Sequence, residues 1–394
     1  MSYDTLNSTN TESLLTPDLS RLYRLPYTGR DNPNTVIEPT AACNLACPGC
    51  YRMSDQKDRR HAVMTLDEMK RYIDRSLELR NYGVLSFLGG EPLLHPDLDA
   101  AIAYARKKGL GVGVYTNGLL LTKERAQCLK ALGVAYIYAH VDRHQGRGVG
   151  EDEAIRLRER FCDMFRGIGG MQFGFGILMD EEDLRNLDET VAFCRKNSDI
   201  VSFVNFALLG SDYGNLDHWA AVSAETDALQ RKACVLIAEK FGFDWTCYLG
   251  SSVLPDKPGK LMNYSFYQKG RYLGSVSPKD MEYVITIGRR QMKKYPYGAL
   301  GYKKLLEMMT KLPGKVSGVP TDFQLINISL SPVLVSQNST MSVNHCEPCT
   351  DAVLYKDHFF PMCLLEYVRT AKYDREEACA VLETRGRKVC IHAY

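Results

Sequence analysis

No apolar run approaches the roughly 18 residues that a membrane-spanning helix needs, so no helical span is expected in this chain of 394 residues. The first 20 residues are polar, rich in Asn, Thr and Ser, and carry no apolar core, so they do not read as a secretory leader. Charge of one sign is also missing. With 49 Lys and Arg against 47 Asp and Glu the net charge is +2, which gives no global case for nucleic-acid or anionic-membrane binding. Low-complexity tracts and internal repeats are absent as well. What remains is an ordinary globular composition, 45% hydrophobic and 24% charged, long enough for two or three domains. Its 13 cysteines, without a leader, do not point to disulfides, because intracellular thiols stay reduced. The expected location is cytoplasmic.

Three of those cysteines fall within eight residues, as Cys43-x3-Cys47-x2-Cys50. Three thiolates so close suit an iron–sulfur cluster whose fourth iron has no protein ligand. Clusters that only carry electrons are normally closed by four cysteines, whereas an open position admits a substrate or cofactor. Ahead of them Thr35–Glu38 is a β-prone run broken at Pro39, so the cysteines follow a strand. A second strand, Val84–Leu88, runs into Gly89-Gly90-Glu91-Pro92. Glycines at a strand end let the backbone approach a ligand, and Pro92 stops the strand.

Those paired motifs resemble the radical S-adenosylmethionine (SAM) enzymes over roughly residues 35 to 210. The resemblance implies that Cys43, Cys47 and Cys50 hold a [4Fe–4S] cluster, with SAM chelating the open iron. It implies that Gly89, Gly90 and Glu91 line the methionine end of SAM, and that a 5′-deoxyadenosyl radical takes a hydrogen atom from the substrate. One position departs from the family: Gly49 stands where an aromatic usually packs on the adenine, and Tyr51, after the triad, does not replace it by position. The competing reading is structural zinc with His61 as a fourth ligand, which leaves the Gly-Gly-Glu-Pro strand end without a purpose.

From Thr35 onward strands and helices alternate. A capping box at Thr65 and Glu68 opens a helix to about Arg80; helices over Asp97–Lys108, Lys123–Leu132, Glu151–Phe165 and Glu182–Lys196 follow. Between them the strands are Gly111–Tyr115, Val134–Val141, Met171–Leu178 and Ile200–Leu208. Six strand-then-helix units predict an α/β fold of parallel strands. By resemblance this is a partial (β/α)6 TIM-like barrel, open on one side, with SAM at the strand C-termini and substrate entering laterally. Polar residues stand at those ends: Asn117, His140, Asp142 and, within the sixth strand, Asn205. The resemblance makes Asp142, and with it Asn117 and His140, candidates for SAM contacts; satisfied strand-end polar groups are the plain alternative. Cys128, Cys162, Cys194 and Cys234 lie in helical patterns and read as buried small hydrophobes.

The chain is expected to divide into a polar lead-in (1–34), the barrel (35–210), an irregular connecting or substrate region (211–340) and an auxiliary-cluster region (341–394). The third includes an amphipathic helix over Ala220–Phe241, a Pro/Gly-rich linker over Leu254–Lys260 and tyrosines at 264, 267, 272, 283, 295, 297 and 302. These tyrosines read as building a packed lobe, with a substrate cavity as the alternative.

Cys346-x2-Cys349-x13-Cys363 is the second cysteine constellation. It resembles the auxiliary cluster of the molybdenum-cofactor cyclase and a reduced SPASM or twitch extension, which implies a second [4Fe–4S] cluster. Its fourth ligand stays open among Cys379, Cys390, Cys247 and substrate, and zinc completed by His345 or His358 is the alternative metal. Cyclisation of GTP is not expected: Thr350–Tyr355 has no arginine, and the chain ends Ile391–Tyr394 without a Gly-Gly tail. The expectation is a radical SAM enzyme that modifies a ribosomally made peptide. It would draw electrons from flavodoxin or ferredoxin, and a separate protein would recognise the peptide. A small-molecule or cofactor pathway is the alternative substrate class, and a non-catalytic iron–sulfur sensor or electron carrier is the alternative outside enzymes.

Overall fold

The computed structural model describes residues 17–47, 50, 52, 63–209, 224–250, 258–297, 323–331 and 348–362, with the strand residues 383–384 and 387–388. In chain order β1 is Tyr23–Arg24, β2 Asn34–Ile37, α1 Leu66–Leu79, β3 Val84–Phe87, α2 Leu98–Lys107 and β4 Gly111–Thr116. Next come α3 Lys123–Ala131, β5 Val134–His140, α4 Glu151–Ile168, β6 Gln172–Met179, α5 Glu181–Arg185, α6 Leu187–Lys196 and β7 Val201–Leu208. The C-terminal half supplies α7 Ala224–Phe241, β8 Cys247–Leu249, β9 Lys260–Gln268, β10 Arg271–Ser275, α8 Pro278–Met292, β11 Gln324–Ser331, β12 Ala352–Tyr355 and β13 His358–Pro361.

Strands β2 to β7 are all parallel and in sequence order, as the alternation predicts and as the partial barrel implied by the resemblance requires. Two segments from far along the chain lengthen it. Strand β11 adds parallel to β7, and β12 adds parallel to β2 through Val353 and Val36. Antiparallel partners then cover both outer edges, β9 on β11 and β13 on β12.

Alternation along each barrel strand explains the two faces. Leu85, Phe87, Val112, Val114, Ile137, Ala139, Phe173, Phe175, Val204 and Phe206 point to the helices and are fully buried. They meet Met69 and Ile73 of α1, Ile102 of α2, Leu129 of α3 and Phe165 of α4 in one core. Each such large side chain contributes about 1.5–3 kcal/mol on burial. The opposite face carries Tyr115, Tyr136, Tyr138 and Phe203. Tyr115 and Tyr138 stack at 4.4 Å, and Tyr138 reaches across β6 to Phe203 at 5.7 Å. Gly113 of β4 makes such a reach possible: a Cβ there would lie 2.1 Å from the Tyr136 ring, which bonds Ser86 of β3 through its hydroxyl.

The capping box at Thr65 and Glu68 is present. The helix expected over 182–196 is two: α5 opens on a second capping box, Asp180 with Asp183, and ends at Asn186, which is at once its C-cap and the N-cap of α6. Helix α4 continues to Ile168 and ends at Gly169, whose φ of 59° closes it. Cys162, Cys194 and Cys234 are buried as expected, but Cys128 is exposed because it faces outward from α3.

The stretch expected to be irregular carries α7, β8 to β11 and α8, with its own apolar core of Leu249, Met262, Phe266, Met281, Ile285 and Leu325. The lead-in contributes to it: β1 pairs with β8, and Leu25 and Tyr27 enter that core. Of the tyrosines, Tyr264 and Tyr267 are core, while Tyr297 lies against Tyr136 at 6.1 Å between ring centroids; Tyr302 is outside the described residues. Among the described residues no helix is long and apolar enough to cross a membrane.

Candidate metal and cofactor site at the mouth of the barrel

The C-terminal ends of β2, β3, β4 and β5 converge on the loop that carries the first cysteine triad. Past β2, Glu38 is buried and pairs with the buried Arg52 at 3.2 Å, pinning the two ends of the cysteine loop together. The end of β3 then lies flat on the segment before Cys43. Gly90 donates to the Thr40 carbonyl at 2.8 Å and Glu91 to the Ala42 carbonyl at 2.8 Å. A Cβ on Gly90 would sit 2.1 Å from the Ala42 oxygen, and Gly89 has a φ of +126°. The glycines were expected to admit a ligand; the close approach that is visible is to the backbone that positions Cys43.

Glu91 is completely buried and accepts from the Leu93 amide at 3.0 Å, the Thr116 hydroxyl at 2.8 Å and the Asn117 amide at 2.7 Å. It ties the end of β3 to the end of β4. Burial pushes its carboxyl pKa up, against the pull of those three donors. Asn117, so placed, donates to the Asn44 side chain at 2.7 Å and to Cys43 Sγ at 3.7 Å.

The thiols gather there. Cys43, Cys47 and Cys50 are all half-buried, Cys50 N–H donates to the Cys47 carbonyl at 3.3 Å, and Gly146 N–H donates to Cys47 Sγ at 3.5 Å. Burial raises the Cys43 pKa and lifts Cys47 to about 11, and neighbouring thiols add to both. Burial thus favours the thiol form at Cys43 and Cys47, and a bound cation is what would favour their thiolates.

Beyond β5, Asp142 is fully buried and accepts from the His144 amide at 2.9 Å, the Leu178 amide at 2.9 Å and His140 Nε2 at 2.6 Å. Burial alone would raise its pKa, but the His140 charge and these donors hold it below the usual carboxylate value. Asp142 and His140 are thus one unit, with His140 on the same strand face as Tyr136 and Tyr138. Arg147 was not anticipated. Its guanidinium donates to the Asn117 carbonyl and to Gln145 Oε1 at 2.7 Å, bringing a cation to the loop beside Cys47. The signal for it was Gln145-Gly146-Arg147-Gly148, a glycine-spaced loop directly after a barrel strand.

Of the second constellation, Cys349 is described, while Cys346, Cys363, Cys379, Cys390 and His345 lie outside the described residues, as do Gly49, Tyr51 and His61. Cys349 packs beside Ala352, Leu354 and Phe359, whereas Cys247 belongs to the core of Leu25, Leu249 and Met262 and is completely buried.

Three thiols on one loop, with N–H donors aimed at two of the sulfurs, fit an iron–sulfur cluster. Sequence comparison identifies part of the chain. Residues 37–194 match the model of the Radical SAM superfamily. These residues are a radical SAM domain. Such a domain takes a [4Fe–4S] cluster and SAM. The chain is 30% identical over 172 residues to the Fe-coproporphyrin III synthase of Methanosarcina barkeri, covering 41% of each chain. It is 38% identical over 104 residues to the PqqA peptide cyclase of Streptomyces rochei, covering 26% of this chain and 28% of that one. The chain therefore spans less than half the length of these relatives. Among solved structures, Streptococcus suis SuiB bound to SAM is similar over 53% of this chain and 48% of that one, at 17% identity and a TM-score of 0.41.

Proposed function

We propose that this chain is a radical SAM enzyme that modifies a ribosomally synthesised peptide, with a second [4Fe–4S] cluster assisting. The observation that carries the enzyme reading is the thiol triad at the barrel mouth with Asn117 and Gly146 donating to its sulfurs. When bound, the cluster and SAM supply a 5′-deoxyadenosyl radical that removes a hydrogen atom from the substrate.

The chain's own residues then divide the work. Cys43, Cys47 and Cys50 hold the cluster, and the Asn117 and Gly146 donors stabilise negative charge on sulfur. Gly89 and Gly90 seat the cysteine loop, and Glu91 aligns Asn117. Asn117 and the His140–Asp142 pair would contact SAM, with Asp142 fixing the His140 ring. Inside the barrel, Tyr115, Tyr138 and Asn205 offer a wall of aromatic faces and hydroxyl and amide groups for the substrate; Asn205 accepts from Ser329 at 2.8 Å and Ser331 at 3.0 Å. Residues 35–210 form the catalytic barrel and 341–394 the auxiliary region, where Cys346, Cys349 and Cys363 ligate the second cluster. A flavodoxin or ferredoxin supplies the electron, and the setting is cytoplasmic.

The peptide reading is supported by the PqqA peptide cyclase relative. A second reading, a porphyrin-type small molecule, is supported by the Fe-coproporphyrin III synthase and by an AdoMet-dependent heme synthase of Nitratidesulfovibrio vulgaris, 31% identical over 165 residues. The test is anaerobic reconstitution, assay of iron and sulfide, and detection of 5′-deoxyadenosine under dithionite with a candidate precursor peptide or an iron porphyrin added. About eight irons per chain and peptide-stimulated cleavage support the proposal. Stimulation by the porphyrin alone selects the second reading, and a fully loaded protein that never cleaves SAM overturns both.

A further inference from the structure

Three arginines are buried among the described residues, and two of them have carboxylate partners: Arg52 pairs with Glu38 and Arg158 with Glu151. Arg80, only 2% exposed, is different. Its guanidinium donates to Thr35 Oγ1 at 3.4 Å and to the Cys349 carbonyl at 3.0 Å, and lies over the Phe359 ring at 4.7 Å. No carboxylate is within ion-pair distance of it among the described residues, and its Nε has no hydrogen-bond partner. A guanidinium removed from water without a counter-ion costs several kcal/mol. The Asp351 carboxylate attracts Arg80 only from beyond ion-pair distance, so no anion among the described residues touches the guanidinium.

The sequence around Arg80 shows where such an anion belongs. Three consecutive carbonyls are gripped by side chains of the barrel: Pro348 by Asn32 at 3.1 Å, Cys349 by Arg80, and Thr350 by Asn34 at 2.9 Å. Beyond them the Leu354 amide donates to the Tyr72 hydroxyl at 2.6 Å, and Asp357 pairs with Arg75. Cys349 is thus presented on a hydrogen-bonded edge, with a buried cation beside it. A neutral thiol offers this cation nothing, whereas a metal-bound thiolate does.

We propose that Arg80 is the built-in counter-charge of a metal–thiolate group ligated by Cys349. This rests on the reading of Cys346, Cys349 and Cys363 as ligands of the second cluster. Arg80 touches no reacting atom in this role; it is a positioning residue whose positive charge favours the reduced, more anionic cluster and so raises its potential.

The experiment uses the full chain, reconstituted anaerobically, as wild type, Cys349→Ala, Arg80→Gln and Arg80→Lys, with iron, sulfide and zinc content and an EPR-monitored redox titration. Cys349→Ala identifies which metal and which signal depend on that cysteine. The expected result is that Arg80→Gln either loses that metal or lowers the potential of that signal, leaves the other cluster unchanged, and is rescued by Arg80→Lys. A Cys349-dependent potential that stays at the wild-type value in Arg80→Gln overturns the inference while the second cluster stands. Wild type and Cys349→Ala with the same metal content overturn the second-cluster reading itself, and the inference with it. If Arg80→Gln does not fold, chelation in a Cys43→Ser, Cys47→Ser, Cys50→Ser background decides. There, loss of metal must lower the melting temperature by stranding the guanidinium, and an unchanged melting temperature overturns the inference.

Discussion

The two cysteine regions are held by opposite means. At the barrel mouth, Cys43 and its neighbours are positioned mainly by backbone: Gly90 and Glu91 amides on the 40–42 segment, the Gly146 amide on Cys47, and two glycines that permit the approach. At the flank, Cys349 is positioned by side chains from residues more than 260 positions away, Asn32, Asn34 and Arg80, gripping successive carbonyls. Backbone placement tolerates side-chain change but not added bulk; side-chain placement is the reverse. The two sites should therefore fail under different substitutions.

The largest effect is expected at the mouth. Replacing Cys43, Cys47 and Cys50 together by Ser should abolish 5′-deoxyadenosine formation while leaving about four of about eight irons. Loss of all iron would mean that the flank depends on the mouth and would break the comparison. Next comes Gly90→Ala: its methyl group meets the Ala42 oxygen at 2.1 Å, so the strand end must move. A cost of about 1–3 kcal/mol by urea denaturation is expected, with reduced cluster uptake in the same sample. At the flank, Asn34→Ala leaves the Thr350 carbonyl and the Ser86 hydroxyl short of a partner and should cost about 1–3 kcal/mol. It should leave SAM cleavage at the mouth intact; equal loss of both would show the regions to be one unit.

The smallest effect is a pH dependence. Asp142 has its folded pKa below the unfolded carboxylate value, so its contribution is complete above roughly pH 4 and is lost as pH falls further. Asp142→Asn should flatten that acid limb in melting temperature against pH. His144, bonded to Asp183 at 2.6 Å, runs the other way. Its pKa is raised by that bond, so its contribution is complete below about pH 6.5 and is lost as pH rises through the folded value. His144→Gln should remove the loss on that alkaline side alone.

The barrel was legible because its signals are local. Strands β2 to β7 fall within a residue or two of their expected bounds, since each is a short apolar run set off by turn residues and helical repeats. Thr65 and Glu68 announce α1 by adjacent chemistry, and the thiol triad is a motif eight residues long. The C-terminal half was opaque for the opposite reason. Strand β9 is buried at nearly every position, so it has no two-residue alternation, and the pairings that define it are with β8, β10 and β11.

At the site the same division holds. The cysteines, Gly-Gly-Glu, Asn117 and Asp142 stood out by type and position at strand ends, whereas Arg147 and the Glu38–Arg52 pair did not. Nor did anything in the local pattern around Arg80 show that it would lie beneath Cys349 with no carboxylate at ion-pair distance among the described residues. Local spacing was enough for the alternating barrel and the thiol triad, because covalent proximity already holds those groups together. It took the folded chain to lay β11 and β12 along the two barrel edges and to bring Cys349 onto Arg80. Contacts across hundreds of residues are selected by burial and hydrogen-bond satisfaction over the whole molecule, and a linear pattern carries no record of which distant group will supply the partner.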